Sequence, residues 1–337
     1  MAATIKDVAK LAGVSISTVS RVINDSKPVS PEARRKVLKA IEELGYKPNE
    51  VARSLVTKKS NLIGVIVNDV GNSYVAQILR GIEEIGRMYD YDIVLCSSYG
   101  DEETELKFIQ LLLRKQAEGI ILVSEILNYA AIDYMKNIKV PFVYLNRHYE
   151  VLDFPTVKID NESATKKVMD YLISHNHKNI LYVGEDKDLE TTVEKYKHNT
   201  YIDSMKDLDS QPLVYKVSGN KINDAYSHGK EILELINENN ISAVFCSQDE
   251  IAIGLISYLY DNGIKVPDDI SFVGYGDISL ASIYRPKLTT IREPYYDFGA
   301  VAIRRILKVI KGDSIEEQII NLPVQLMVRE SVKKINL

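Results

Sequence analysis

The chain has 337 residues, 45% of them hydrophobic and 26% charged, with a formal net charge of −5 at pH 7. That composition excludes a disordered or fibrous chain, and the length allows several separate cores. Charge is unevenly placed: residues 1–60 hold 12 Lys or Arg against 6 Asp or Glu, so a head of +6 precedes a body of −11. Such a head attracts a phosphate backbone in a salt-dependent way, and the acidic body is discouraged from lying along it.

Apolar Ile5, Val8, Ala9 and Ala12 recur at helical spacing, and Gly13 falls where a helix needs a left-handed residue to stop. Ser15 then caps a second helix at once, with Val14, Val19, Val22 and Ile23 on its buried face and Ile16, Ser17, Ser20, Arg21 and Asn24 on the other. Two short helices joined by so tight a turn form a DNA-reading element, and those five residues are its candidate readers of bases and phosphates. Ser30-Pro31-Glu32 opens a third helix through Val37, Leu38, Ile41 and Leu44 to Gly45. Residues 48–60 hold a cap, about two helical turns and a polar exit. A helix that short is marginal in water unless something packs on it, so it reads as a linker.

From residue 61 strands and helices alternate. Strands are expected at 62–67, 92–96, 119–123 and 140–145, with helices over 75–89 and 102–116 and another before 140. The pattern begins again with a helix over 162–175, strands at 179–183, 213–215, 243–246 and 270–273, and helices near 193–206, over 222–239 and over 249–262. Such alternation predicts an α/β body of parallel sheets covered by helices, twice over. Cys96 and Cys246 fall on predicted core strands without Cys/His clustering, which points to small core hydrophobes, with neither a disulfide nor a metal. No charged-then-apolar leader and no run near ~18 apolar residues is present, so a cytoplasmic protein with no membrane partner is expected.

The motif V-A-x-x-A-G-V-S-x-x-T-V-S-R-V-I-N from Val8, followed from Arg34 by R-x-K-V-x-x-A-I-x-x-L-G-Y-x-P-N-x-x-A-R-S-L, resembles the lac repressor/galactose repressor family of bacterial transcriptional regulators. The resemblance implies a three-helix helix-turn-helix headpiece (1–47), a hinge helix (48–60) and a two-lobed, periplasmic-binding-protein-like effector and dimerisation domain (61–337). Its first lobe would take about 61–160 and 291–320, its second about 161–290 and 321–337, with a ligand cleft between them. It also implies a nucleoid-associated homodimer on a palindromic operator. Ile16, Ser17 and Arg21 then lie against base edges, Arg21 forking onto a guanine. Thr4, Thr18, Ser20 and Asn24 hold the backbone and set register. In the hinge, Leu55 wedges into a central flexible or CpG step of double-stranded DNA, with Ala52 permitting close approach.

The cleft departs from the family. Lys197 stands where sugar- and purine-responsive members place Arg; Gly276 stands where they have Asp, with Asp277 next door; Gln248 replaces Asn and Glu293 replaces Gln. Lys loses the bidentate fork, and Gly deletes an acceptor outright. Tyr74 can cap a sugar face, and Asn146, beside Arg147 at a strand end, matches a sugar-contacting position of relatives. Tyr74, Asn146, Lys197, Gln248, Asp277 and Glu293 are therefore the candidate contacts for a small-molecule, sugar-like effector. Tyr296, Asp297, Arg304 and Arg305, with 80–85, resemble the catabolite-control branch of the family, whose corepressor is a serine-phosphorylated phosphocarrier protein; an Arg on that helix could pair with a phosphoserine.

Catalysis finds no support: Gly274-Tyr275-Gly276-Asp277 lacks the third Gly of a dinucleotide loop, the five His form no metal motif, and no nucleophile elbow is present. No cofactor is expected. A stand-alone sugar-binding protein is opposed by the basic head. The residues and the resemblance together predict a repressor of carbohydrate uptake or use, controlled by a sugar-like effector or by the phosphocarrier. The absence of terminal Leu heptads favours a dimer.

Overall fold

The computed structural model describes residues 3–25, 27–46, 59–124, 128–138, 140–146, 155–186, 194–219, 221–314 and 317–336. The expected linker helix, with Ala52 and Leu55, lies outside the described residues, as does Arg147. The chain divides into two compact units, residues 1–60 and 61–337.

The head consists of α1 (Ile5–Ala12), α2 (Ile16–Asn24) and α3 (Pro31–Leu44). At the start of α1, the Thr4 backbone N–H and hydroxyl both donate to Asp7, at 2.9 and 2.7 Å. Gly13 ends the helix at φ 66, a conformation its missing Cβ makes accessible. Ser15 caps α2 by accepting the Thr18 N–H at 3.1 Å. Asp25 ends it and pairs with Arg34 of α3 at 2.8 Å. Val8, Val19 and Val37 are fully buried, with Ala9, Ala12, Val22 and Ala40 around them. Each helix is marginal by itself, so this shared apolar centre is what holds all three.

The body carries two six-stranded sheets. The first contains β1 (Leu62–Val67), β2 (Asp92–Ser97), β3 (Gly119–Ser124), β4 (Phe142–Asn146), β5 (Thr156–Ile159) and β11 (Ile319–Leu322), in the order β11-β5-β4-β3-β1-β2. The second contains β6 (Ile180–Glu185), β7 (Leu213–Val217), β8 (Ala243–Cys246), β9 (Ser271–Gly276), β10 (Thr289–Arg292) and β12 (Gln325–Met327), in the order β12-β10-β9-β8-β6-β7. Every pairing is parallel except that of β12, which runs antiparallel to β10. Central strands β1, β3, β6, β8 and β9 are buried along nearly their whole length, as their unbroken apolar runs require in a sheet covered on both faces.

Helices α4 (Ser73–Met88), α5 (Glu102–Arg114), α6 (Tyr129–Lys136) and α13 (Tyr295–Ile310) belong to the first lobe. The second holds α7 (Asn161–Ser174), α8 (Glu194–Asp207), α9 (Ile222–Ser227), α10 (Gly229–Glu238), α11 (Asp249–Asp261) and α12 (Ser279–Ile283). The chain passes between lobes after β5, after β10 and after β11.

One helix differs from expectation. The run over 222–239 is broken at His228, whose ring bonds the Tyr215 hydroxyl at 3.0 Å and the Ser218 hydroxyl at 2.9 Å. Gly229 follows against the Tyr258 ring, where a Cβ would come within 2.0 Å. A tertiary contact, invisible in the helical period, sets this break.

Candidate functional site

In the head, α2 has an exposed outer face. Ile16 is 45% exposed, Ser17 and Arg21 are exposed, and Thr18, Ser20 and Asn24 are half-buried beside them. Two short networks fix the polar groups: Ser15 Oγ lies 2.8 Å from both Ser17 Oγ and Thr18 Oγ1, and Asn24 Nδ2 donates to Ser20 Oγ at 3.2 Å. Val19 and Val22, pointing inward, lock the helix rotation, so Ile16, Ser17 and Arg21 share one side.

The body contains an open cleft of about 740 Å³ between its lobes, a size suited to a small organic ligand. The first lobe contributes Asn72, Tyr74 and Gln77 from the start of α4. The second contributes Gln248, which precedes α11, and Tyr275 and Ile278 from the end of β9 onward. Tyr295 completes the wall, its ring 5.5 Å from that of Tyr74. These positions follow the carboxyl ends of parallel strands, where α/β sheets gather ligands.

Of the six expected effector contacts, Tyr74 and Gln248 line the cleft; Gln248 Nε2 donates to Glu185 Oε2 at 3.1 Å. Asn146 closes β4 in register with Ser124, and its side chain lies outside what is described. The other three are engaged elsewhere. Lys197 is buried on α8, donating to the Ser247 carbonyl at 2.8 Å, 3.6 Å from Glu194 and 3.9 Å over the Tyr275 ring. Asp277 is clamped by Arg292 at 2.6 Å and Arg329 at 2.5 Å. Glu293 is buried and accepts the Tyr295 hydroxyl. None of these three is among the lining residues.

Asp249, the first residue of α11, was not among the sequence-predicted contacts. Fully buried, it accepts the Thr290 hydroxyl at 2.6 Å and the Ile278 N–H at 2.8 Å. Desolvation pushes its pKa up to about 7, against the pull of those two hydrogen bonds. A signal existed in Gly274, where a Cβ would lie 2.2 Å from the Asp249 carboxylate, but only a fold turns that adjacency into a reading.

On the first lobe, the Tyr296 hydroxyl donates to Glu84 at 2.9 Å, and Glu84 pairs with Arg80 at 2.8 Å. Asp297 and Arg304 are exposed. Arg305 is not part of that surface. It is 6% exposed and donates to the Glu317 and Gln318 carbonyls, because the next residue on a helix turns by about 100° and here that turn points inward. Among the described residues no three His, Cys, Asp or Glu are grouped to hold a metal ion, and no helix is long and apolar enough to cross a membrane.

Residues 4–49 match the family model of bacterial regulatory proteins of the lacI family, and residues 169–332 match the periplasmic binding protein-like domain. Over 339 residues the chain is 37% identical to catabolite control protein A of Priestia megaterium, covering 99% of this chain and 100% of that one. The chain belongs to the lac repressor family of bacterial transcriptional regulators. Another relative is the ribose operon repressor of Halalkalibacterium halodurans, 32% identical over 330 residues, with 98% of this chain and 97% of that one covered. Among solved structures, the lac repressor dimer bound to operator and the anti-inducer ONPF superimposes with a TM-score of 0.88 at 26% identity, covering 99% of this chain and 100% of that one. In this lac repressor family member, α1 and α2 lie in the lacI-family segment, and the two-sheet body carries the periplasmic binding protein-like domain. It is a DNA-binding transcriptional regulator.

Proposed function

We propose that this regulator is a cytoplasmic, homodimeric repressor of carbohydrate genes, whose operator affinity is set by a sugar-like molecule in the interlobe cleft. The observation that carries the reading is the cleft itself: tyrosine faces from both lobes, with amides at Asn72, Gln77 and Gln248, suit the apolar faces and hydroxyls of a sugar. A ligand touching both lobes favours one angle between them, and by linkage that preference changes the affinity for DNA. In the head, Ile16, Ser17 and Arg21 read bases of a palindromic half-site while Thr4, Thr18, Ser20 and Asn24 set register. Ala52 and Leu55 are proposed to act at a central flexible or CpG step. No catalytic role is assigned. Leu95 on edge strand β2 and Met88 at the end of α4 are exposed apolar groups, 43% and 73% accessible, and suit a second copy of the chain as partner.

Fluorescence anisotropy of the effector-free protein on its own upstream DNA, against a shuffled control, tests the reading. Tight, sequence-specific binding that a sugar relieves is expected. Equal binding to both DNAs would refute it.

A second reading is favoured by one surface and one relative. Exposed Asp297 and Arg304 beside the Arg80–Glu84–Tyr296 chain lie on a regulator similar to a catabolite control protein. A serine-phosphorylated phosphocarrier protein would then act as corepressor. Arg304→Glu should abolish its enhancement of operator binding; an unchanged enhancement would dismiss the surface.

A further inference from the structure

Behind the cleft wall lies an ion pair whose charge is spent internally. Lys197 sits in α8 with a side chain 1% exposed, and Glu194, one turn earlier, is 3% exposed. The Lys197 ammonium is held from three sides: by the Ser247 carbonyl at 2.8 Å, by Glu194 at 3.6 Å, and by the Tyr275 ring, whose centroid lies 3.9 Å away. Glu194 also accepts the Tyr182 hydroxyl at 2.8 Å. Tyr275, in turn, is pinned at its far end, donating to Asn161 at 2.8 Å, and presents its ring to the cleft. Lys197 therefore supports the tyrosine from behind and fixes the carbonyl just before Gln248. Tyr275 and Gln248 are wall residues, and Lys197 and Ser247 are not.

Among the described lining residues the two charged side chains, Lys221 and Glu250, are of opposite sign, so the lining carries no net cation. Lys221 is exposed, and Glu185 and Asp249 are buried next to Gln248. A phosphate brought inside must exchange its water for charge-assisted hydrogen bonds. A buried ammonium already shared among a carboxylate, a carbonyl and an aromatic face cannot supply them. Uncharged hydroxyls have a smaller demand, which amides and phenols meet.

We infer that Lys197 is a positioning residue, neutralised by Glu194 behind Tyr275, and that the cleft consequently selects an uncharged hydroxylated ligand over the phosphate ester of the same ligand. The inference rests on the sugar reading of the cleft and adds which class of sugar it takes.

The test is isothermal titration of the full-length protein with ribose, glucose and cellobiose, and with ribose 5-phosphate and glucose 6-phosphate. A neutral sugar should bind at least tenfold more tightly than its own phosphate. Glu194→Gln, which leaves the shape and removes the charge that neutralises the ammonium behind the wall, should narrow that ratio or reverse it. Lys197→Met should weaken the neutral sugar and leave the phosphate weak. A phosphate that binds wild type more tightly than its parent sugar overturns the inference while leaving the sugar reading standing. So does a ratio that Glu194→Gln leaves unmoved in a variant whose melting curve matches wild type. Binding of neither class overturns the sugar reading and this inference with it. If Glu194→Gln fails to fold, the wild-type ratio still decides.

Discussion

A buried carboxyl at the head of a helix makes a quantitative claim about pH. Asp249 has its pKa pushed up to about 7, chiefly by burial, with repulsion from Glu250 and Asp277 adding to it. In the unfolded chain it returns to about 4. The folded state thus prefers the protonated acid: its contribution is fully present below pH ~4 and is lost as pH rises through about 7, with a span on the order of 4 kcal/mol. Asn mimics the protonated form, able to accept the Ile278 N–H and to donate toward Thr290. Asp249→Asn should therefore flatten the fall in unfolding free energy between pH 5 and 8 and be the more stable protein at pH 8, as read by urea denaturation. Parallel slopes for the two proteins would show that Asp249 does not titrate in that window. Asp277, by contrast, has positive φ and two arginine partners. It ties the end of β10 to the segment beyond β12, near two of the three lobe crossings. Asp277→Ala should cost about 3 kcal/mol of stability by stranding Arg329, yet change sugar affinity less than twofold. A large affinity loss with normal stability would return Asp277 to the ligand. The family resemblance placed Asp277 and Lys197 near the ligand by their positions in the chain; which way each side chain turned depended on a left-handed residue and on a buried carboxylate one turn away.

At the level of elements, α4 and α13 meet backbone to backbone. A Cβ on Gly299 would lie 2.0 Å from the Ile78 carbonyl oxygen, and one on Gly81 would lie 2.1 Å from that of Tyr296. Backbone atoms cannot swing aside as a flexible side chain can, so the helices must separate to admit a methyl group. Gly299→Ala should lower stability by about 1–3 kcal/mol, visible as a lower melting temperature with little change in helical circular dichroism. An unchanged melting temperature would mean that the pair slides freely. The long apolar strands and periodic helices were readable in advance, since each carries its own period. The short strands β5, β10, β11 and β12, of three or four residues, carry none; they exist because a sheet edge was waiting for them. Arg305 belongs to the same class of surprise. The Arg304-Arg305 pair reads as one charged patch, but the helix sends the first outward and the second to the carbonyls before β11, where burial lowers its pKa.

For the whole molecule, function is split along the division between two separately cored units. The three helices of the head were legible, because their caps and turn are local to 40 residues or so and follow from chain-neighbour chemistry. The cleft was legible as a place but not as a set of contacts, because it assembles residues from segments far apart in sequence. The division makes a sharp prediction. Residues 1–60 hold the +6 and the reading face, while the body is acidic, so the electrostatic part of DNA affinity should reside in the head alone. A fragment of residues 61–337 should keep the sugar affinity of the full chain and lose DNA binding. In the full-length protein, log K on the operator should fall steeply with log salt, with a slope on the order of −5 or steeper if the two heads of the proposed dimer both release counterions. Arg21→Ala should then weaken operator binding by about 1–3 kcal/mol and relax preference at one base pair per half-site. Its effect on shuffled DNA separates the two roles open to this side chain. A base reader leaves nonspecific affinity and most of the salt slope intact, whereas a phosphate contact lowers affinity on every sequence and takes about one unit from the slope.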